Sequence, residues 1–356
     1  MTALAGGVFG SGDRNDDDAE LRRLVDDLGR LAFDARLGHR ALPDRFDADL
    51  WRILEDAGLA RLTSTPDNGA GPRELAISLY GLARHAGSVP LAETDLLAGW
   101  LGLRAGIELP EGPMTVAITD ADTNGRRVTG TARSVPWARS CATVLLAVRV
   151  PDGLRVGLVE VPPRSLREDH NLAGEPRDSI TFDLPADQLA VVDPELGEEL
   201  VRRGAWSRCV QIVGALDAAA ALSVDHTRER VQFGRPLSAF QAVQQSLAGM
   251  AGEIETARAA AELAVTTAVE HGFDSPATDY AVTVAKVTVG RAVGPVTTVA
   301  HQLHGAIGVT REHPLWLFTL RAQSWAEDYG TTRQYACKLG RLGLSTEDPW
   351  DLVAAT

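Results

Sequence analysis

Between Ala19 and about Leu109 the apolar positions keep a helical period: Leu21, Leu24, Val25, Leu28 and Leu31, then Leu50, Ile53, Leu54 and Leu59. The stretch "TSTPDNGAGPREL", with Pro66, Gly69, Gly71 and Pro72, interrupts that period and predicts a loop before another helix from about Glu74. At about Gly112 the pattern changes. "MTVAITD", "RRVTGTARSVPWA", "TVLLAVRV", "LRVGLVEV", "SITFDL" and "LAVVD" are short β-rich runs separated by turn-forming "ADTNG", "PDG" and "NLAGEPRD". Strands in such quick succession predict a compact antiparallel sheet or barrel. From Pro194 the helical period returns in longer runs. Phe240, Val243, Leu247, Met250, Ile254, Ala257, Ala261 and Ala264 form one stripe, and Asp274-Ser275 before Pro276 is a helix start.

The expected class is therefore α+β, in three parts behind a tail. Residues 1–18 are Gly- and Asp-rich and expected to be frayed. An N-terminal helical domain follows over 19–111, a small middle β-sheet or barrel domain over 112–193, and a C-terminal four-helix bundle over 194–356.

Charge narrows the possible partners. Against 48 Asp+Glu stand 35 Lys+Arg, a formal net charge of −13, so a surface tracking nucleic-acid phosphates is not expected. A local basic pocket for one anion is compatible with it. Cys141, Cys209 and Cys337 form no CxxC pair and read as small buried hydrophobes in a reducing compartment. The N-terminus lacks a basic start, and Asp217, Lys286 and Arg291 interrupt the best apolar runs. Neither a secretory signal nor a membrane span of roughly 20 residues is expected, which points to the cytoplasm.

Several chemistries lack their motifs: there is no GxSxG elbow, no Walker loop and no HExxH. The glycines of "GGVFGSG" follow no strand, so a Rossmann site is not indicated. His301 and His304 share a helical face but have no third ligand nearby, and no metal is expected. What remains is the segment "RVQFGRPLSAFQ", Arg230 to Gln241, where Arg228, Arg230 and Arg235 surround Phe233 at a helix end. It reads either as a solvated helix terminus or as an anion-binding corner. In the second reading a helix N-terminus beside a guanidinium receives a phosphate, and Phe233 offers a flat apolar contact. The segment "HQLHGAIGVTREHP", 301–314, favours the corner, because Gly305 and Gly308 break a helix just after Gln302 and let backbone amides approach a ligand.

Together "RVQFGRPLSAFQAVQ" and "QLHGAIGVTREHP" resemble the two C-terminal signatures of the acyl-CoA dehydrogenase family, and the helix–sheet–helix order is similar from about residue 20 onward. The resemblance implies FAD-dependent α,β-desaturation of an acyl-CoA thioester: a carboxylate removes the α proton while the β hydrogen leaves as hydride to the flavin. It also implies that these segments hold the adenosine diphosphate part of a flavin housed mainly in a neighbouring subunit. Carried over, Arg230 meets the pyrophosphate, Phe233 packs on the cofactor, and Gln302 and Gly305 line the adenine. Gln232 and Gln241 support them, and Thr331 joins the cofactor-binding set. Ala306 replaces the family's second glycine.

The resemblance fails where a chain serves its own reaction. The family's base is the Glu of a Tyr-Glu-Gly-Thr motif; here "EDYGTTRQ" keeps Gly330 and Thr331 but places Tyr329 at the base position. A phenol, with a reference pKa of about 10, is a poor base near neutrality. The alternative base position on the earlier helix is Gly204. The middle domain replaces the family's Thr-Glu-Pro loop with the shortened hairpin "AITDADTNGRRVTG", and Thr131, Ser134 and Trp137 stand as strand residues where the family lines the flavin ring. Kept and lost positions together imply a non-catalytic, β-type subunit that completes the flavin site of a homologous catalytic partner. Such pairs resemble actinobacterial heteromers, heterotetramers among them, acting on steroid side-chain CoA thioesters and passing electrons to an electron-transfer flavoprotein or similar acceptor. Two alternatives stand beside it: a homomeric enzyme with its base moved to Glu327 or Asp328, and a flavin-free scaffold.

Overall fold

The first helical repeat folds into helices that meet through glycine. In the computed structural model, which describes residues 9, 16–38, 42–65, 69–161 and 165–354, α1 (Asp16–Arg36) packs on α3 (Pro72–Arg84). A Cβ at Gly29 would lie 2.7 Å from the His85 ring, and one at Gly81 would lie 2.6 Å from Val25. No larger residue fits at this approach. Most of the expected tail, and the loop residues 66–68, lie outside the described residues. Asp16–Asp18 depart from the expected tail: they open α1, with Asp18 buried and accepting from Arg73 Nε at 2.6 Å.

Contacts group the chain into two compact units, Met1–His39 with Pro72–Gly87 and Ala205–Thr356, and Arg40–Gly71 with Ser88–Gly204. The second holds α2 (Ala48–Asp56), a π-helical segment Ala92–Gly99 running into α4 (Trp100–Ala105), and two small sheets. One sheet has the order β1 (Thr115–Asp120), β4 (Thr143–Val150), β5 (Gly153–Glu160), β8 (Ala190–Val192). The other runs β2 (Asp122–Thr123), β3 (Arg127–Pro136), β7 (Arg177–Pro185), β6 (Leu166–Arg167). Their apolar faces bury Val128, Ala132, Val144, Leu146, Val148, Ile180 and Phe182 in one cluster.

The expectation of a purely antiparallel sheet is corrected at one pair: β1 and β4 run parallel, Thr115 opposite Val144 through Asp120 opposite Arg149. The chain leaves β1, makes the β2–β3 hairpin in the other sheet and returns, and such an excursion permits a parallel neighbour. Thr131 is a strand residue whose hydroxyl meets that of Thr181 at 3.3 Å. Ser134 and Trp137 are not regular strand positions. Both have positive φ, Ser134 within the β3 irregularity and Trp137 buried where the strand ends.

The first unit is helical. It contains α1, α3 and the greater part of α5 (Glu195–Glu229), followed by α6 (Gln241–His271), α7 (Pro276–His304), α8 (Leu315–Glu327), α9 (Thr332–Ser345) and α10 (Pro349–Ala354). Ser275 caps α7, its hydroxyl accepting from Ala277 and Thr278, and Pro276 stands at the first turn where its missing N–H costs nothing. The predicted stripe on α6 is buried from Met250 onward, whereas Phe240, Val243 and Leu247 are half-buried and the first two turns face outward. Trp206 on α5 donates its indole N–H to Ala264 O at 3.0 Å, fixing α5 against α6.

Two sequence expectations need revision here. α5 does contain a window apolar and long enough to cross a bilayer, of mean hydropathy 1.3, but 67% of it is buried within the protein, as a bundle's core helix is. Cys141 and Cys209 are buried and burial pushes both thiols up, Cys209 to about 12, while Cys337 is exposed rather than a core residue.

Candidate functional site

The end of α5 leads into a two-residue hairpin. Val231–Gln232 pairs antiparallel with Arg235–Pro236, and the turn between them is Phe233-Gly234. Both turn residues have positive φ, 50° and 80°, the requirement of the turn that matches strand twist. Glycine adopts it freely, but phenylalanine is strained there by about 1–2 kcal/mol. Phe233 is also 92% exposed, edge-on to Phe240 at 6.2 Å between centroids. A strained aromatic with its face in water invites the search for something that covers it.

Around that ring sit the cations. Arg230 is exposed, and its guanidinium donates to the Gln232 side-chain oxygen at 2.8 Å once the amide is oriented to satisfy both groups. Arg235 lies over the Phe240 ring at 4.1 Å. Gln241, exposed, is the first residue of α6; the helix is entered through Phe240, which supplies no side-chain cap.

A second arm comes from α7. Gln302 is exposed on its last turn, and Gly305 ends the helix at φ 63°, its N–H bonded to His301 O, with open space where a Cβ would point. Gly308 does not expose backbone as expected: it is buried, and a Cβ there would meet His304 at 2.8 Å and Leu315 at 3.3 Å. Its small size serves packing. Stacked imidazoles join the arms: His226 on α5 lies 4.5 Å from His304 on α7, and Arg230 N–H donates to His226 O. Arg230, Gln232, Phe233, Gln241, Gln302 and Gly305 therefore belong to one corner. Val231, Phe233, Ile307 and Val309 are exposed large apolar residues on its two arms. Their sum is a patch suited to being covered.

Thr331 stands at the start of α9 (Thr332–Ser345) as its N-cap. Its hydroxyl accepts from Gln334 N at 3.1 Å, while the Gln334 side chain accepts from Thr331 N at 2.8 Å, a reciprocal cap on α9. We expect Thr331→Ala to lower thermal stability by about 1 kcal/mol, the usual worth of such a cap, without altering cofactor occupancy of an assembled complex; occupancy assays on the variant check this.

The loop leading to Thr331 is held from beneath by buried cations. Arg208, about 30 Å back along α5 from the hairpin, donates from Nε to Asp328 at 2.9 Å and from Nη1 to Gln211 at 2.6 Å. Lys286, buried in α7, donates to the carbonyls of Ala326 and Asp328 at 3.0 and 2.8 Å, and burial lowers its pKa. Tyr329 takes φ 55° with its ring 5.6 Å from the Arg208 guanidinium. Glu327 is exposed, and Gly204 is buried in α5. Sequence reading missed Arg208 and Lys286. A lone lysine in an Ala- and Val-rich helix was the one available signal.

Among the described residues no group of three or more His, Cys, Asp or Glu is arranged to hold a metal ion.

This fold is that of acyl-CoA dehydrogenases. The ChsE4–ChsE5 complex from Mycobacterium tuberculosis matches over 94% of this chain and 99% of the matched chain at TM-score 0.82 and 24% identity. A steroid acyl-CoA dehydrogenase, the Tcur3481–Tcur3483 G363A variant, matches over 92% and 99% at TM-score 0.76 and 24% identity. Residues 198–333 match the family model of the acyl-CoA dehydrogenase C-terminal domain. Acyl-CoA dehydrogenase FadE27 of Mycobacterium tuberculosis is 27% identical over 348 residues, 84% of this chain and 89% of that protein.

Proposed function

We propose that this chain is a subunit of an FAD-dependent acyl-CoA dehydrogenase that completes the flavin site of a homologous catalytic partner and owns no base of its own. One contrast carries the reading. The corner built from Arg230, Phe233 and Gly305 is open, cationic and apolar at once, as a dinucleotide from a neighbour requires. The loop at the family's base position instead presents a phenol, and its nearest carboxylate, Asp328, is bound to a buried guanidinium.

The residues fit the adenosine diphosphate half of FAD. The Arg230 and Arg235 guanidinium groups supply charge for the pyrophosphate, Phe233 supplies a face for a ring, and the missing side chain of Gly305 leaves backbone approachable. When bound, FAD supplies a hydride acceptor. This chain's residues bind and orient it, and the proton acceptor comes from the partner. The exposed first turns of α6, and a cavity of about 930 Å³ lined by Val224, Leu247 and Ala251 together with the charged Asp225, Arg228 and Arg258, offer that partner a seat of mixed character beside the corner. A steroid side-chain CoA thioester is the substrate class we infer, from the steroid enzyme among the fold relatives, and the cytoplasm is the inferred location.

The homomeric alternative draws its support only from Glu327 and Asp328 being carboxylates beside the base position. Exposure of Glu327 and the Arg208 pairing of Asp328 weigh against it, since a base needs a free lone pair and a raised pKa. Purified alone, the chain should be colourless and fail to reduce a dye with acyl-CoA thioesters. Co-purified with a catalytic homologue, it should be yellow and active. Stoichiometric flavin and turnover in the lone chain would overturn the reading, and a colourless active-partner complex would favour a scaffold.

A further inference from the structure

The two arms of the corner are joined by histidine rings. His226, near the end of α5, stacks on His304, at the end of α7, with centroids 4.5 Å apart and planes 24° apart. His313, in the loop before α8, lies 4.5 Å from His304 and 6.3 Å from His226. Arg230 hydrogen-bonds back to His226, and Gly305 follows His304 directly. Each ring therefore stands within a turn of a predicted ligand contact or at the helix that follows.

Hydrogen bonds orient two of the three rings. His304 donates from Nδ1 to Ala300 O at 2.7 Å, and its Nε2 is buried with no hydrogen-bond partner, in a side chain only 5% exposed. His313 uses Nδ1 the other way, accepting the Leu315 N–H at 3.2 Å at the start of α8. Protonating His313 would break this contact and set a cation at a helix N-terminus, where the dipole opposes it. The acceptor role of His313 requires the neutral ring. The charges acting on the stack are these: Glu229 favours the His226 cation, Arg230 and His304 oppose it, His226 with His304 opposes that of His313, and His301, one turn before His304, is opposed by His304 in turn.

We propose that His226, His304 and His313 form an imidazole brace that positions the Arg230 hairpin against the Gly305 turn, and that acidification, acting through His313 and His226, releases the brace and with it the corner's grip on a dinucleotide. These are positioning residues, and their effect on a ligand rests on the function proposed above. The direction follows from linkage. Burial, then the neighbouring rings, lower the pKa of His313 to about 4, and burial first and His304 next lower that of His226. A histidine whose folded pKa lies below its unfolded value binds fewer protons when folded. The stability it contributes is whole above about pH 6.5, falls as pH drops below that, and is lost fully once pH passes the folded pKa, about 4 for His313.

His313→Asn separates charge from shape, because its side-chain oxygen can replace Nδ1 in accepting the Leu315 N–H but cannot become a cation. In the free full-length chain, histidine-ring NMR signals should show His313 titrating well below the ordinary value, and the Gly234 and Gly305 amide signals should move in step with it. In the complex with a catalytic homologue, flavin retained after gel filtration should fall about tenfold from pH 7.5 to 5, equivalent to one pKa unit. The His313→Asn complex should lose less than about twofold over that range, as expected without that proton. Titration of His313 at its unperturbed value, or amide signals that ignore it, overturns the brace. So does an unchanged pH profile in His313→Asn, with His226→Gln as the second variant if that chain misfolds. A complex lacking flavin at pH 7.5 would overturn the dinucleotide reading instead, and the free-chain titration would then decide the brace alone.

Discussion

Asp328→Asn should lower the stability of the helical unit by about 2–3 kcal/mol, and Arg208→Met should lower it by less. The asymmetry follows from where each charge lies. The Arg208 side chain is 3% exposed and Asp328 is 22% exposed. Removing the carboxylate strands a guanidinium in the interior, where an uncompensated charge from a fully buried pair costs about 3–5 kcal/mol. The figure is reduced here because Asp328 reaches water and the pair is partly screened. Removing the guanidinium leaves a carboxylate with solvent at hand and the Lys286 charge nearby. The double variant should lie within about 1 kcal/mol of the parent, because no orphan charge remains. Urea denaturation of all four chains measures the cycle. Strict additivity would show that the two side chains do not act as a pair, and would reopen the case for Asp328 as a free carboxylate able to accept a proton.

That pair also marks the limit of what the sequence disclosed. Periodicity placed α6 and α7 to within about three residues because their apolar stripes are long and their starts carry Pro276 or an aromatic turn. The corner was legible because its chemistry is local: Arg230, Phe233 and Gly234 are consecutive or nearly so, and Gln302 precedes Gly305 by three positions. The loop's support was not legible. Arg208 and Lys286 come from two helices and Asp328 from the loop after α8, far apart in the chain, so only the fold reveals them as partners. The histidine stack was hidden for the same reason, since His226, His304 and His313 meet only when three segments do. The cap that Thr331 makes on its own helix was not legible either, because it depends on where that helix starts. Parallel pairing of β1 with β4 escaped notice because strand periodicity carries no information on direction.

Arg230→Ala should reduce flavin occupancy of the assembled complex by at least about tenfold while leaving the isolated chain's stability within about 0.5 kcal/mol, as expected for an exposed side chain away from the core. The expected loss has a stated origin: a guanidinium–phosphate pair is bidentate and charge-assisted, worth about 1.5–3 kcal/mol, and 1.4 kcal/mol is a factor of ten in affinity. Arg230→Lys should recover only part of it, because an ammonium keeps the charge but not the planar fork. The Gln232 oxygen that now receives the Arg230 guanidinium holds that fork ready, so Gln232→Ala should show a smaller loss of the same sign. Arg235 leans on Phe240 and carries its charge further from the Arg230–Gln232 pair's fixed geometry, and its removal should weaken binding mainly at low salt. Flavin absorbance per complex after dialysis at two ionic strengths resolves these cases. Full occupancy in Arg230→Ala at both strengths would remove the corner from the cofactor site and leave its exposed Phe233 to some other partner.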